Sequence, residues 1–250
     1  MSTLKNVLLS LFKPATGVDG AAASLKWLWI PLALVLMGSV AYKTVVSTPL
    51  SIVASQATAE ALVKKQSAKM SDADRKEFEK ATADSKTGPD VTAGSAIVST
   101  SAMIFAVLGA VISILYIATF FFVAAKTWAN PVAYTTMLSI ATLCLIPHAL
   151  RNIGQAIYMS ATGVFLQHPG LGGLVAPASP LDPPGLPYAV LSQIDIWVVW
   201  GLVILFGALV STTMGIGRKR AVTGMVTFVA ITGILQAVPT LIAGAFLGSM

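Results

Sequence analysis

Charge is scarce in this sequence of 250 residues, at 10% of positions, whereas water-soluble domains carry roughly 25%. Cysteine is nearly absent: Cys144 stands alone, which excludes an intramolecular disulfide and any paired-cysteine metal site. Only two histidines occur, His148 and His168, and neither has a cysteine or acidic neighbour at metal-ligand spacing. No phosphate-cradling glycine loop, no GxSxG elbow and no HExxH helix is present; Gly215-x-Gly217 follows no strand and is a poor dinucleotide signal. No aromatic-interleaved basic stripe suits nucleic acid, so the net charge of +6 fits an anionic lipid surface instead. The sequence gives no ground for a cofactor, a metal or nucleic acid, and reads as a non-enzymatic protein.

What it has in abundance is apolar length: 56% of residues are hydrophobic. A bilayer core of about 30 Å requires about 20 apolar residues of helix. Five stretches meet that requirement, at about 26–47, 95–125, 131–151 (with an extension toward Phe165), 189–214 and 221–247. Backbone groups in lipid must pair within their own segment, and sustained period-2 alternation is missing, so helices are expected and a β-barrel is not. The expected fold is all-α, a polytopic membrane protein with five transmembrane helices. The first run is too long, and preceded by too much chain, for a cleaved signal peptide, and is expected to be retained. Trp27, Trp29 and Tyr42 look like its interfacial anchors.

Residues 1–24 are expected to form a separate N-terminal unit. Leu4, Val7, Leu8, Leu11 and Phe12 share a helical face between Lys5 and Lys13, the pattern of a short helix lying in the membrane surface. The five-helix domain then occupies 25–250. Residues 50–90 interrupt the apolar pattern with seven basic and seven acidic side chains. Ser71 with Asp74, and the i,i+4 pairs Glu60–Lys64 and Asp72–Lys76, indicate a short helical insert outside the bilayer. The loop 169–187, with six prolines and four glycines, excludes regular helix or a central strand. The short basic turn Arg218-Lys219-Arg220, with Lys5, Lys13, Lys26 and Lys126, places the N-terminus in the cytoplasm and the C-terminus, insert and loop outside.

Two sets of residues stand out. His148, Arg151, Asn152 and Gln155 share a helical face near the end of the third run. Asp195 is expected about one and a half turns into the fourth run, near Gln193, and Gln236 lies in the half of the fifth run nearest that side. Ionisable groups at membrane depth are costly and face partners or cavities, so Arg151 and Asp195 are expected to pair, with the amides completing an intramembrane polar network. The bland reading is that both simply reach the interface. The second set is small: Ala102, Ala106 and Ala110; Gly207, Ser211 and Gly215; Gly244 and Gly248. Such stripes let helices approach closely, within the chain or toward a partner subunit, a second copy included.

The segments Leu181-Asp182-Pro183, Gln193-Ile194-Asp195-Ile196-Trp197-Val198-Val199-Trp200, and Gly207 with Gly215 to Ala221 resemble the bacterial Yip1 family, as do Met70 to Glu77 and the Lys13-Pro14 step. The resemblance spans most of the chain. It implies a five-helix domain of the bacterial inner membrane without catalytic chemistry. It further implies an accessory or scaffolding subunit docked to an ABC-type export or efflux complex, through an ABC permease or a periplasmic adaptor. A stand-alone small-solute transporter or channel is the alternative. A lipid-modifying enzyme using Asp195 or His148 as base is a third reading, with no nucleophile beside either residue.

Overall fold

The computed structural model describes residues 2–15, 17, 29–43, 63–64, 67, 91–128, 130–166, 168, 170–176 and 185–248. All regular structure among them is helical. The helices are α1 (Ser2–Phe12), α2 (Trp29–Val40), α3 (Val91–Thr127), α4 (Tyr134–Cys144), α5 (Ile146–Thr162), α6 (Leu186–Leu191), α7 (Ile196–Leu209) and α8 (Arg218–Gly248), with a 3-10 turn at Gly170–Val175. Three helical stretches, Thr100–Thr127, Tyr134–Thr162 and Arg218–Val238, are long and apolar enough to cross a membrane. Two shorter apolar helices, Trp29–Lys43 and Ile196–Leu209, accompany them. The insert expected at 50–90 lies almost wholly outside the described residues.

Local chemistry explains the breaks. Pro147 has no N–H to return to the preceding turn, so α4 and α5 part at Leu145 and remain nearly continuous. Gly163, at φ 66°, ends α5 with its N–H on Met159 O at 2.8 Å. A single continuous helix expected over about 189–214 is instead the short α6, a turn, and α7. The reason is Asp195: its backbone is extended (φ −144°, ψ 169°) and its Oδ1 accepts the Val198 N–H at 2.8 Å. An aspartate with a backbone donor in reach starts a helix more readily than it sits inside one. Asp195 is therefore the N-cap of α7, not a residue one and a half turns within it. The loop expected over 169–187 also carries some helix, the 3-10 turn and the start of α6; Leu171 N donates to Ile194 O at 2.9 Å, bracing the chain just before that cap.

The core is formed by α3, α4 and α7, with Ala118, Phe121, Ala125, Met137, Ile140, Ala141, Ile204, Leu205 and Ala208 all buried. At Gly201 the backbones of α7 and α4 nearly touch: a Cβ there would lie 2.6 Å from Cys144 O. The α2–α5 crossing is equally close, with a Cβ on Gly38 falling 2.8 Å from Ala149 O. Helix α8 meets α3 through Tyr116, Phe120, Phe121 and Phe228, whose rings pack at 5.0–5.5 Å between centroids. The turn after α3 and the turn after α7 are tied by Asn130 Nδ2 donating to Met214 O at 2.6 Å, and Arg220 Nη1 reaches Trp128 O at 3.3 Å. Arg218, Lys219 and Arg220, expected as a turn, instead form the start of α8, and they share one end of the bundle with Lys126.

Helix α1 touches the bundle at its C-terminal end. Leu11 is buried in the same core, Trp200 Nε1 donates to Leu11 O at 3.0 Å, and Phe12 packs on Trp200 at 5.8 Å. Leu8 and Phe12 of the same face stay exposed, at 50% and 73%, so α1 rests on the bundle through Leu11 and leaves much of its apolar face uncovered.

Candidate functional site

The polar residues of α5 arise from one helical face. Ile146, Ala149, Ala156 and Met159 turn inward, and His148, Arg151 and Gln155 follow the i, i+3, i+7 spacing beside them. Arg151 Nη1 lies 2.8 Å from Asp195 Oδ2, and the two side chains are 14% and 11% exposed. One carboxylate thus performs two tasks, with Oδ1 capping α7 and Oδ2 holding α5. Asp195 also stands at the N-terminal, positive end of the α7 dipole.

Beside the pair, α2, α3 and α5 enclose a cleft of about 340 Å³, within the range of small-ligand sites. From α5 it receives His148, Arg151, Asn152 and Gln155; from α2 and its helical continuation to Lys43, Ser39, Tyr42 and Lys43. Helix α3 contributes Phe105, Ala106, Gly109, Ala110 and Ser113, and the deep end closes on Val35 and Leu145. Among the described residues, no carboxylate lines it. Asn152 is almost fully buried, at 7% exposure. The Lys43 ammonium stands 5.9 Å from the Tyr42 ring centre. Arg151 carries its donors in a planar fork, one of them engaged by Asp195, and the amides of Asn152 and Gln155 offer both donors and acceptors.

Four members of the expected network, His148, Arg151, Asn152 and Gln155, therefore line one space, and Asp195 flanks it through Arg151. Gln236 does not join them: it is exposed on α8, which packs along α6, α7 and α3. The α2 wall was not anticipated, although Ser39, Tyr42 and Lys43 repeat at i, i+3, i+4 and so share a face; Tyr42 on its own reads as an interfacial anchor. His168 lies elsewhere, with Nδ1 3.2 Å from Tyr188 OH. Among the described residues, no three His, Cys, Asp or Glu side chains gather where a metal ion could be held.

The small-residue stripes fare differently from one another. Ala106 and Ala110 are buried toward α2. Gly207 is covered from within the chain, since a Cβ there would lie 2.5 Å from Pro14 Cγ. Ser211 and Gly215 do not continue a stripe with Gly207, because α7 ends at Leu209. Gly215 has φ 59° and Ser211 Oγ is buried without a hydrogen-bond partner among the described residues. The surroundings of Gly244 and Gly248 lie outside what is described. No protein-family model matches the chain, and neither does any curated protein or solved structure.

Proposed function

We propose that the chain is a five-span, non-enzymatic accessory subunit of the bacterial inner membrane, docked to an ABC-type export or efflux complex. In this reading α2 and α7 are the first and fourth spans. At about 1.5 Å per residue the 14 residues of α7 reach about 21 Å, less than a bilayer core, so the ion pair at its start lies near the outer headgroups. The N-terminus is cytoplasmic, on the side of Arg218, Lys219 and Arg220, and the C-terminus periplasmic. The Yip1 resemblance supplies the kind of partner.

The supporting observation is that, among the described residues, the polar groups lining the cleft do not continue through the α4–α7 junction. Beneath the pair, the α4–α7 junction is filled by Ile140, Ala141, Leu143, Ile204, Leu205 and Leu209, and the Thr142 hydroxyl is bonded to Leu138 O of its own helix at 2.7 Å. A conducting path needs polar groups through both halves, whereas a docking subunit does not. Apolar side chains on α3 and α8, among them Phe105, Ile112, Val226 and Ile234, are exposed and require lipid or a partner helix.

Purification of the tagged chain in mild detergent with mass spectrometry of what accompanies it is the test. An ATPase and a permease subunit are the expected companions. Substrate flux by the purified chain alone in liposomes overturns the proposal in favour of a transporter. A reporter fused after Met250 that is active only in the cytoplasm overturns the orientation.

A further inference from the structure

The cleft between α2, α3 and α5 presents chemistry that the accessory role does not require. Its two cations are already engaged: Arg151 pairs with Asp195 at 2.8 Å, and Lys43 is likewise partnered. What remains for a guest is neutral. Asn152 is more than nine-tenths buried, yet among the described residues nothing donates to its amide or accepts from it. The same holds for the Gln155 amide one turn on, and Ser39 and Tyr42 bring hydroxyls from the facing wall. A primary amide has two N–H donors and two acceptor positions, and burying it bare is costly. Unlike the sealed Ser211 hydroxyl, the Asn152 side chain lines the cleft, so a guest can reach it.

This set discriminates among guests. A phosphate would have to take Arg151 from Asp195 and deprive that carboxylate of its cation at the start of α7. An ammonium head would need a carboxylate, and among the described residues none lines the cleft. A purely apolar guest would leave the amides bare. Uncharged hydroxyls satisfy them, since each both donates and accepts. The mouth adds a second condition. At Gly109 an added Cβ meets nothing within 4 Å, so the α3 wall is low there. Phe105, one turn earlier on the same face, is 71% exposed, and Leu108, Ile112 and Leu115 continue the exposed apolar strip along α3. A neutral polar chamber that opens sideways onto apolar helix fits a head group with acyl chains attached.

We infer that this cleft binds an uncharged, hydroxyl-bearing lipid head of the diacylglycerol or glycosyl diacylglycerol class, with Asn152 and Gln155 holding the hydroxyls and the α3 strip receiving the acyl chains. The inference rests on the membrane-spanning part of the proposed function and not on the docking role; release of the chain from membranes by alkaline carbonate removes the former separately.

The test uses the full chain in phosphatidylcholine nanodiscs holding equal small amounts of diacylglycerol, monoglucosyl diacylglycerol and phosphatidic acid, followed by native mass spectrometry. The chain retains one or both neutral lipids about tenfold over phosphatidic acid, the scale of one or two net hydrogen bonds. Asn152→Leu, which keeps the volume and removes the amide, abolishes that preference. Gly109→Trp fills the mouth, leaves every polar group in place and does the same, while circular dichroism and elution volume stay unchanged; it decides the matter even where Asn152→Leu fails to fold. In a second arm, millimolar methyl glucoside is added to the chain in a detergent without a sugar head. No lipid preference together with a rise in the unfolding midpoint, lost in Gly109→Trp, assigns the hydroxyl-bearing group to a soluble source. Preferred retention of phosphatidic acid, retention that Gly109→Trp shares equally, or no retention and no methyl glucoside effect overturns the inference.

Discussion

Two junctions of one bundle are built from opposite materials. Where α4 meets α7, a glycine lets one backbone rest on the other, and the side chains around Gly201 and Cys144 are apolar and buried. Where α2, α3 and α5 meet, Gly38 seals one flank against Ala149 but the rest stands open, polar and cationic. The same chain thus uses close approach to exclude everything at one seam and leaves room for something at the other. The Arg151–Asp195 pair is the border between them, one partner lining the cleft and the other starting the sealed helix.

Cutting that border has the largest expected effect. Asp195→Ala removes the cap of α7 and leaves Arg151 unpaired where little water reaches it, at a cost of about 3 kcal/mol. Asp195→Asn keeps a capping acceptor and removes only the charge, so it falls between wild type and the alanine variant. Unfolding in detergent, read with Arg151→Met and the double variant Arg151→Met/Asp195→Asn as a cycle, separates pair from cap. A coupling near zero would mean that the two side chains hold their positions independently and that the border is no border.

Gly201→Ala comes next. Its new Cβ meets a carbonyl oxygen of the backbone, which has no rotamer to change, so α4 and α7 must separate along their length. The expected loss is about 2 kcal/mol, the scale of overpacking in a tight core. An unchanged unfolding midpoint would show that the seam is looser than its geometry implies.

A milder version of the same clash tests how α1 is held. At Gly207 the added methyl meets the ring of Pro14, which belongs to the N-terminal segment and not to a core backbone. That segment can lift away, so Gly207→Ala costs about 1 kcal/mol and acts locally. Trp200, bonded to Leu11 O and packed on Phe12, reports it: its emission shifts to the red while the global transition barely moves.

How much of this was legible in the sequence follows from which signals are local. Long apolar runs declare a helical membrane protein, because lipid leaves the backbone few other options. The polar face of α5 is legible for the same reason, as four residues at helical spacing. The start of α7 was misplaced because Asp195 sits in a run whose hydropathy stays high on both sides, and averaging over such a run conceals a cap. The union of Leu11 with Trp200 and of Pro14 with Gly207 spans nearly two hundred positions, and no local pattern announces it. The cleft is legible only in part: its α5 wall is conspicuous, whereas Gly109 and Ser113 read as ordinary small residues until α2 is placed opposite them.

Gly109→Ala is the smallest effect and the one that most sharpens the comparison. It is the same chemical change as Gly201→Ala, also in mid-helix, yet its Cβ enters open space. With no clash to offset it, the gain from restricting a flexible backbone remains, so stability holds or rises by roughly 0.5 kcal/mol. Opposite signs for one substitution at two sites would locate the difference in the neighbours and not in glycine itself. Equal losses at both would mean that the mouth of the cleft is covered by another part of the chain or by a bound molecule, and native mass spectrometry of the wild-type chain distinguishes those two.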